Sequence, residues 1–143
     1  MDDRKLGESL WRVHIEHMRA LDFVVEHSYT RGETGMLLYL YHIAQPLFPG
    51  ELTDKLGLTT GRIANILRGL EAEGLVQRLP DVQDKRRVQV SLTRQGEALA
   101  RKKNQEAIDF HTRLLGTLAP GEGEQFLALL VKLTAAAEQL AGE

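Results

Sequence analysis

The sequence contains no cysteine, and it has no long apolar run. Without cysteine, the chain has no disulfide framework, no thiolate zinc site and no regulation through a reactive thiol. No window approaches the roughly 20 apolar residues that are needed to span a bilayer, and the charged residues 1–5 do not resemble a secretion signal. We therefore expect a cytoplasmic protein that has no membrane partner.

Sequence patterns typical of enzymes are also missing. The serines Ser9, Ser28 and Ser91 are not set in a Gly-x-Ser-x-Gly motif, and the chain has neither a phosphate-binding loop nor a glycine-rich dinucleotide fingerprint. We expect no catalytic activity and no cofactor.

The charge is unevenly distributed along the 143 residues, which have the composition of one compact domain over residues 1–143. The net charge is -2, yet the stretch from Arg62 to Lys103 holds ten Lys and Arg against five Asp and Glu. That stretch carries +5 and the remainder -7. Concentrated basic charge is typical of a surface that binds phosphate. The alternative explanation is an ordinary solvated surface.

The spacing of apolar residues predicts a series of helices in the first half of the chain. A long amphipathic helix is expected over residues 6–25, a second over 33–44 and a short third over 50–56, which Gly57 closes. Thr59 is placed to cap a fourth helix that ends at Gly74. The tight turn between the third and fourth helices predicts a helix-turn-helix.

After Gly74 the pattern changes to that of a hairpin. Two β-prone runs, residues 75–79 and 88–92, flank a polar tip at 80–87, and we call this hairpin the wing. Thr93 is placed to cap a helix that ends at Gly116, and Pro120 and Gly121 open a last helix.

The expected fold class is mainly α with a small β-wing. A winged helix-turn-helix core would occupy residues 33–94, and N- and C-terminal helices would occupy 4–28 and 94–143. The terminal helices carry long apolar stripes that a monomer could not bury completely. We therefore expect a homodimer.

The order of elements and several motifs resemble the MarR family of winged helix-turn-helix transcription regulators. The motifs are residues 50–52 (Gly-Glu-Leu), 70–78 (Leu-Glu-Ala-Glu-Gly-Leu-Val-Gln-Arg), 84–87 (Asp-Lys-Arg-Arg) and 92–96 (Leu-Thr-Arg-Gln-Gly). The family's wing pattern is met at Asp84, Arg86, Leu92, Thr93 and Gly96. The resemblance implies a regulator that binds double-stranded DNA as a dimer, and a ligand-responsive repressor is expected.

The fourth helix supplies candidate DNA contacts. If it buries Ile63, Leu67 and Leu70, its polar side chains must lie on the opposite face. The candidates are Thr60, Arg62 and Asn65 for base edges and Arg68 for phosphate. Gly61 and Gly69 lie inside this helix, where glycine is unfavourable; a close approach of the backbone or close packing would account for them.

The wing tip supplies the second set of candidates. Arg86 resembles the minor-groove arginine of the family, and Asp84 resembles the acidic residue that holds the tip in place. Lys85 and Arg87 would add attraction for phosphate. Two alternatives are a tip charged only for solubility and a winged helix that binds protein.

Aromatic and histidine residues suggest two further hypotheses. Trp11 and Tyr39 are candidate walls of a pocket for a small aromatic or phenolic effector, although aromatics at helical spacing are more often core residues. A zinc-responsive regulator is an alternative raised by the five histidines, which are His14, His17, His27, His42 and His111. Their spacing matches no paired metal-binding motif, so no metal site is predicted.

Overall fold

The computed structural model describes residues 2–13 and 32–142 of the chain. It divides into two compact units, Met1–Lys103 and Asn104–Glu143. Residues 3–13 are helical and form α1, in agreement with the start of the predicted first helix. The rest of that prediction, up to residue 25, lies outside the described residues.

The elements that follow keep the predicted order. They are α2 (Glu33–Ile43), α3 (Pro49–Leu56), α4 (Thr60–Ala72), β1 (Val76–Pro80), β2 (Val88–Leu92), α5 (Arg94–Leu115) and α6 (Glu122–Ala141). The turn between α3 and α4 follows the predicted signals. Gly57 adopts a left-handed conformation at φ +63°, and Thr59 Oγ1 accepts a hydrogen bond from the Arg62 N–H at 3.3 Å.

The wing is an antiparallel pair of strands. Val76 lies opposite Leu92, and Pro80 lies opposite Val88 at the end near the tip. The strand β1 begins and ends one residue later than predicted, because the Leu75 N–H bonds to the end of α4 while its carbonyl alone continues the ladder. Its N–H donates to the Leu70 carbonyl at 2.9 Å, and its carbonyl accepts from the Thr93 N–H at 3.1 Å.

A third segment joins the wing at the middle of β2. Leu47, just before α3, forms an isolated antiparallel bridge with Val90 of β2. The Leu47 N–H donates to the Val90 carbonyl at 3.0 Å, and the Val90 N–H donates back at 2.7 Å. The backbone of the chain therefore ties the wing to the start of the helix-turn-helix.

The core of the first unit lies between α2, α3, α4 and the root of the wing. Its buried apolar residues are Met36, Leu37, Leu40, Leu47, Leu52, Ile63, Ile66, Leu67, Leu70, Leu75, Val76, Val90 and Ala100. Four of them come from one face of α4, so the opposite face of that helix is left for solvent or a partner.

In the second unit, α6 buries none of its residues. Its large apolar side chains are exposed: Phe126, Leu127, Leu129, Leu130, Val131, Leu133 and Leu140. No helix within residues 2–13 and 32–142 is long and apolar enough to cross a membrane.

Candidate nucleic-acid interface

The exposed face of α4 carries all four of its predicted DNA-contacting side chains. Thr60, Arg62, Asn65 and Arg68 are each exposed, opposite the buried stripe. Arg68 Nη1 donates a hydrogen bond to Asn65 Oδ1 at 3.0 Å. The amide oxygen has a second lone pair and the amide nitrogen two protons, so Asn65 can still donate and accept at a base edge.

The two glycines of α4 have different surroundings. A Cβ atom added at Gly61 would meet nothing within 4 Å, so this position is open surface at the start of the helix. A Cβ atom at Gly69 would collide with the carboxylate of Glu33 on α2. That carboxylate is the end of a flexible side chain, so the contact places Gly69 beside α2 without requiring a glycine there.

Backbone hydrogen bonds order the tip of the wing. The Asp84 N–H donates to Asp81 Oδ2 at 3.2 Å, and the Arg86 N–H donates to Asp84 Oδ1 at 3.0 Å. The Arg87 N–H donates to the Asp84 carbonyl at 2.9 Å, and the Asp81 N–H donates to the Arg87 carbonyl at 2.9 Å. Asp84 thus fixes the backbone on which the exposed Arg86 stands, while Lys85 is also exposed.

An ion pair connects the wing to the end of α4. Arg78 Nε of β1 lies 3.0 Å from Glu71 Oε2, and the two side chains are 39% and 40% exposed. An exposed pair of this kind contributes little to stability, roughly 0 to 1 kcal/mol. Its main effect is therefore on the orientation of β1 relative to α4. Sequence reasoning gave neither residue a role, because nothing local in the pattern pairs them.

A second contact near the tip involves Arg87. Its guanidinium carbon lies 3.6 Å from the centroid of the Phe48 ring, which is the distance of a cation–π interaction. Phe48 precedes α3, and its N–H donates to Glu51 Oε2 at 2.7 Å. Sequence reasoning missed this contact as well, since it joins segments far apart in the chain.

The base of the wing is joined to α5 through Thr93. Thr93 Oγ1 donates to the Gly74 carbonyl at 2.6 Å and accepts from the Gly96 N–H at 3.0 Å. A Cβ atom at Gly96 would overlap the Leu75 carbonyl oxygen. The Thr93 and Gly96 of the wing pattern therefore hold the end of the helix-turn-helix against the start of α5.

The predicted effector residues lie in different settings. Trp11 on α1 is 65% exposed, whereas Tyr39 on α2 is half-buried and packs against the core. A half-open cavity of about 580 Å³ lies in the first unit near the ends of α2 and β2, and neither aromatic residue lines it. Its lining residues are Leu40, Tyr41, His42, Ala44, Gln45, Pro46, Ser91, Leu92 and Glu97.

The described histidines make contacts within their own helices. The His42 ring meets Tyr41 edge-on at 5.6 Å, and His111 Nδ1 lies 2.7 Å from the Ala107 carbonyl. In the part of the chain that the structure describes, no group of three or more His, Cys, Asp or Glu is placed to hold a metal ion. The other three histidines, His14, His17 and His27, lie outside it.

A helix-turn-helix with an exposed polar face and a basic wing beside it defines a winged-helix DNA-binding protein. Residues 27–87 match the MarR family model. An uncharacterized HTH-type transcriptional regulator of Bacillus anthracis is 28% identical over 132 residues, which cover 89% of this chain and 87% of that protein.

Solved structures agree with the sequence comparison. Wild-type MarR of E. coli in its apo form is 29% identical and matches with a TM-score of 0.71, over 90% of this chain and 95% of that chain. MepR of S. aureus in its DNA complex is 28% identical and matches with a TM-score of 0.67, over 92% of this chain and 97% of that chain. Over most of its length the chain is therefore similar to helix-turn-helix transcription regulators that include MarR and MepR, and its residues 27–87 match the MarR family model.

Proposed function

We propose that the chain is a homodimeric, ligand-responsive repressor that reads operator DNA with α4 and the wing. One observation carries the DNA-binding part of this proposal. The helix α4 buries four apolar residues on one face and exposes Arg62, Asn65 and Arg68 on the other, beside a wing that exposes Arg86. This is the distribution expected of a recognition helix and its minor-groove arm.

In this proposal the first turns of α4 enter the major groove. Arg62 can donate two hydrogen bonds to guanine, and Asn65 can pair with adenine, while Thr60 lies close enough to the helix start to contact a base or its phosphate. Arg68 lies about two turns after Thr60 and would contact phosphate. Its hydrogen bond to Asn65 supports a fixed orientation of the base-reading amide.

The wing tip is assigned to the adjacent minor groove. Arg86 would enter it, Lys85 would contact phosphate, and Asp84 would hold the backbone of the tip. The three residues are consecutive and the tip is ordered by its own hydrogen bonds, so the arginine is presented without first folding a loop.

The dimer is supported by the exposed apolar surface of the second unit. All seven large apolar side chains of α6 are exposed in the single chain, Phe126 at 50% and Leu140 at 71%. An apolar surface of this extent on one helix is typical of a protein interface. A second copy would also supply the second recognition helix that an operator with two half-sites requires.

Substitutions in α4 test base reading. We expect Asn65→Ala or Arg62→Ala to weaken operator binding by about 1 to 3 kcal/mol and to relax the preference at one position in each half-site. Binding to a scrambled duplex should change less, because phosphate contacts remain. The operator is first selected from genomic fragments that the protein retains, and affinities are then measured on both duplexes.

The matched control is Asn104→Ala, which removes the same side chain from α5, outside α4 and the wing. It should bind the operator as the parent protein does. Unchanged operator preference in both α4 variants would reject base reading by this helix. Failure of the parent protein to retain any genomic fragment would favour a winged helix that binds protein.

Ligand response is tested together with the dimer. We expect a small aromatic or phenolic anion that binds beside Trp11 and Tyr39 to raise the melting temperature and to lower operator affinity. It can do so only by binding the DNA-competent and incompetent states with different affinity. Light scattering should give twice the 16.0 kDa chain mass with and without the ligand, because the ligand changes the spacing of the recognition helices and not the assembly.

Two results would contradict this part of the proposal. One is a stable monomer at micromolar concentration. The other is a set of ligands that stabilise the protein and leave its operator affinity unchanged at every concentration. Repression itself is measured by transcription from the adjacent promoter with purified components, where a rise in transcript on protein addition would identify an activator instead.

A further inference from the structure

We propose that Arg87 is a positioning residue, which sets the angle of the wing by packing its guanidinium on Phe48 and does not contact DNA phosphate. The proposal rests on the proposed DNA-binding function, since the wing angle determines whether the tip and α4 reach their grooves together. Arg87 differs in this respect from its neighbours Lys85 and Arg86.

The contact itself is well formed. The Arg87 guanidinium carbon lies 3.6 Å from the Phe48 ring centroid, so the planar cation rests on the ring face. The backbone of Arg87 is held independently, because its N–H donates to Asp84 and its carbonyl accepts from Asp81, both at 2.9 Å. A side chain with both its backbone and its head group fixed acts as a brace between two segments.

The position of Arg87 along the wing allows its contact with Phe48 to oppose bending of the hairpin. The Leu47–Val90 bridge and the Arg78–Glu71 ion pair hold the middle of the hairpin, and both act at the same level, since Arg78 lies opposite Val90. Arg87 is three residues nearer to the tip than Val90, about 10 Å along an extended strand. Thr93 holds the base of the wing and Val90 its middle, so the contact of Arg87 with Phe48 restrains the outer part of the hairpin, beyond Val90, against bending.

Phe48 is an unusual residue at the start of a helix, and the contact with Arg87 accounts for it. Ser, Thr, Asp and Asn are preferred there because a side-chain oxygen accepts a hydrogen bond from the first turn. Phe48 has no such oxygen, and α3 keeps only the reciprocal half, the bond from the Phe48 N–H to Glu51. The ring of Phe48 instead supplies a surface for Arg87.

The test compares Arg87→Ala, Phe48→Ala, their double variant and the conservative variants Arg87→Lys and Phe48→Tyr. Each is measured for affinity to the selected operator at several salt concentrations, and for hydrogen exchange of the amides of residues 81–87 without DNA. Arg86→Ala serves as the reference for loss of a direct DNA contact. Thermal melting verifies that every variant is folded.

We expect Arg87→Ala and Phe48→Ala each to weaken operator binding roughly two- to fivefold, with the salt slope of the parent protein, and the double variant to lose no more than either single one. Both single variants should speed exchange at residues 81–87, which Arg86→Ala should not do. Phe48→Tyr, which keeps the ring, should recover most of the affinity, whereas Arg87→Lys, which keeps the charge and loses the planar guanidinium, should recover less of it.

Three outcomes would overturn the assignment. Arg87→Ala could lower the salt slope by about one unit, as a phosphate contact would. Phe48→Ala could bind as the parent protein does, or the two losses could add in the double variant. The exchange measurement needs no DNA, so faster exchange in both variants together with unchanged DNA binding by Arg86→Ala would reject the proposed entry of the wing into the minor groove and leave the brace intact. Faster exchange in both variants with no retained DNA fragment would reject the proposed function and also leave the brace intact.

Discussion

Replacing Gly96 with alanine is expected to lower the free energy of unfolding by about 2 to 4 kcal/mol, through overpacking and a lost hydrogen bond. A Cβ atom at Gly96 would overlap the Leu75 carbonyl oxygen, which accepts the Thr93 N–H at 3.1 Å. Relief of the overlap requires the backbone of the wing base to separate from α5. Thermal or urea unfolding measures the loss, and the melting temperature should fall by about 10 °C.

The control is Gly35→Ala, since Gly35 and Gly96 are both the third residue of their helix. A Cβ atom at Gly35 would meet nothing within 4 Å, so alanine there should raise the free energy of unfolding by about 0.5 to 1 kcal/mol through helix propensity. If the two variants melted alike, the close approach of α5 to the wing base would be absent in solution.

Gly96 also shows what sequence reasoning could and could not establish. Within a helix, glycine is unfavourable compared with alanine, and nothing local indicates why one should be there. The resemblance placed Gly96 in a motif without a physical reason. That reason is a contact with the backbone of Leu75, which depends on how the wing and α5 pack.

Elements with strong local signals were predicted well. Thr59 caps α4 and Gly57 ends α3 as expected, because capping and left-handed turns depend on residues within one turn of the chain. The apolar stripe of α4 likewise fixed which of its side chains are exposed. A helical period determines the exposed face once the buried one is known.

Contacts between distant segments were not predicted. The bridge from Leu47 to Val90 involves a single residue pair, too short to give an alternating pattern. The contact of Arg87 with Phe48 depends on the wing folding back beside α3, so the sequence favoured phosphate for that arginine. By contrast, the hydrogen bond from Arg68 to Asn65 follows from an (i, i+3) spacing and could have been found.

The wing arginine should affect binding to every duplex, whatever its sequence. We expect Arg86→Ala to weaken binding to operator and scrambled duplexes alike, roughly five- to tenfold at physiological salt. Each neutralised phosphate contributes about 0.9 to the slope of log K against log[salt], and the loss of one such contact has this size. The salt slope should become shallower by about one unit. Variants of α4 should instead weaken binding mainly to the operator. Titrating both duplexes at several salt concentrations therefore distinguishes the base contacts of α4 from the wing contact.

Asp84 distinguishes support of the tip from the contact itself. Asp84→Ala removes the oxygen that accepts the Arg86 N–H at 3.0 Å, so binding should weaken less than in Arg86→Ala. Asp84→Asn keeps an acceptor at that position and removes a negative charge, so it should bind at least as tightly as the parent protein. A loss in Asp84→Asn equal to that in Asp84→Ala would mean that the carboxylate acts through its charge on the arginine.

Full affinity and an unchanged salt slope in Arg86→Ala would mean that the wing does not enter the groove. A cation in contact with DNA cannot be removed without releasing fewer counterions.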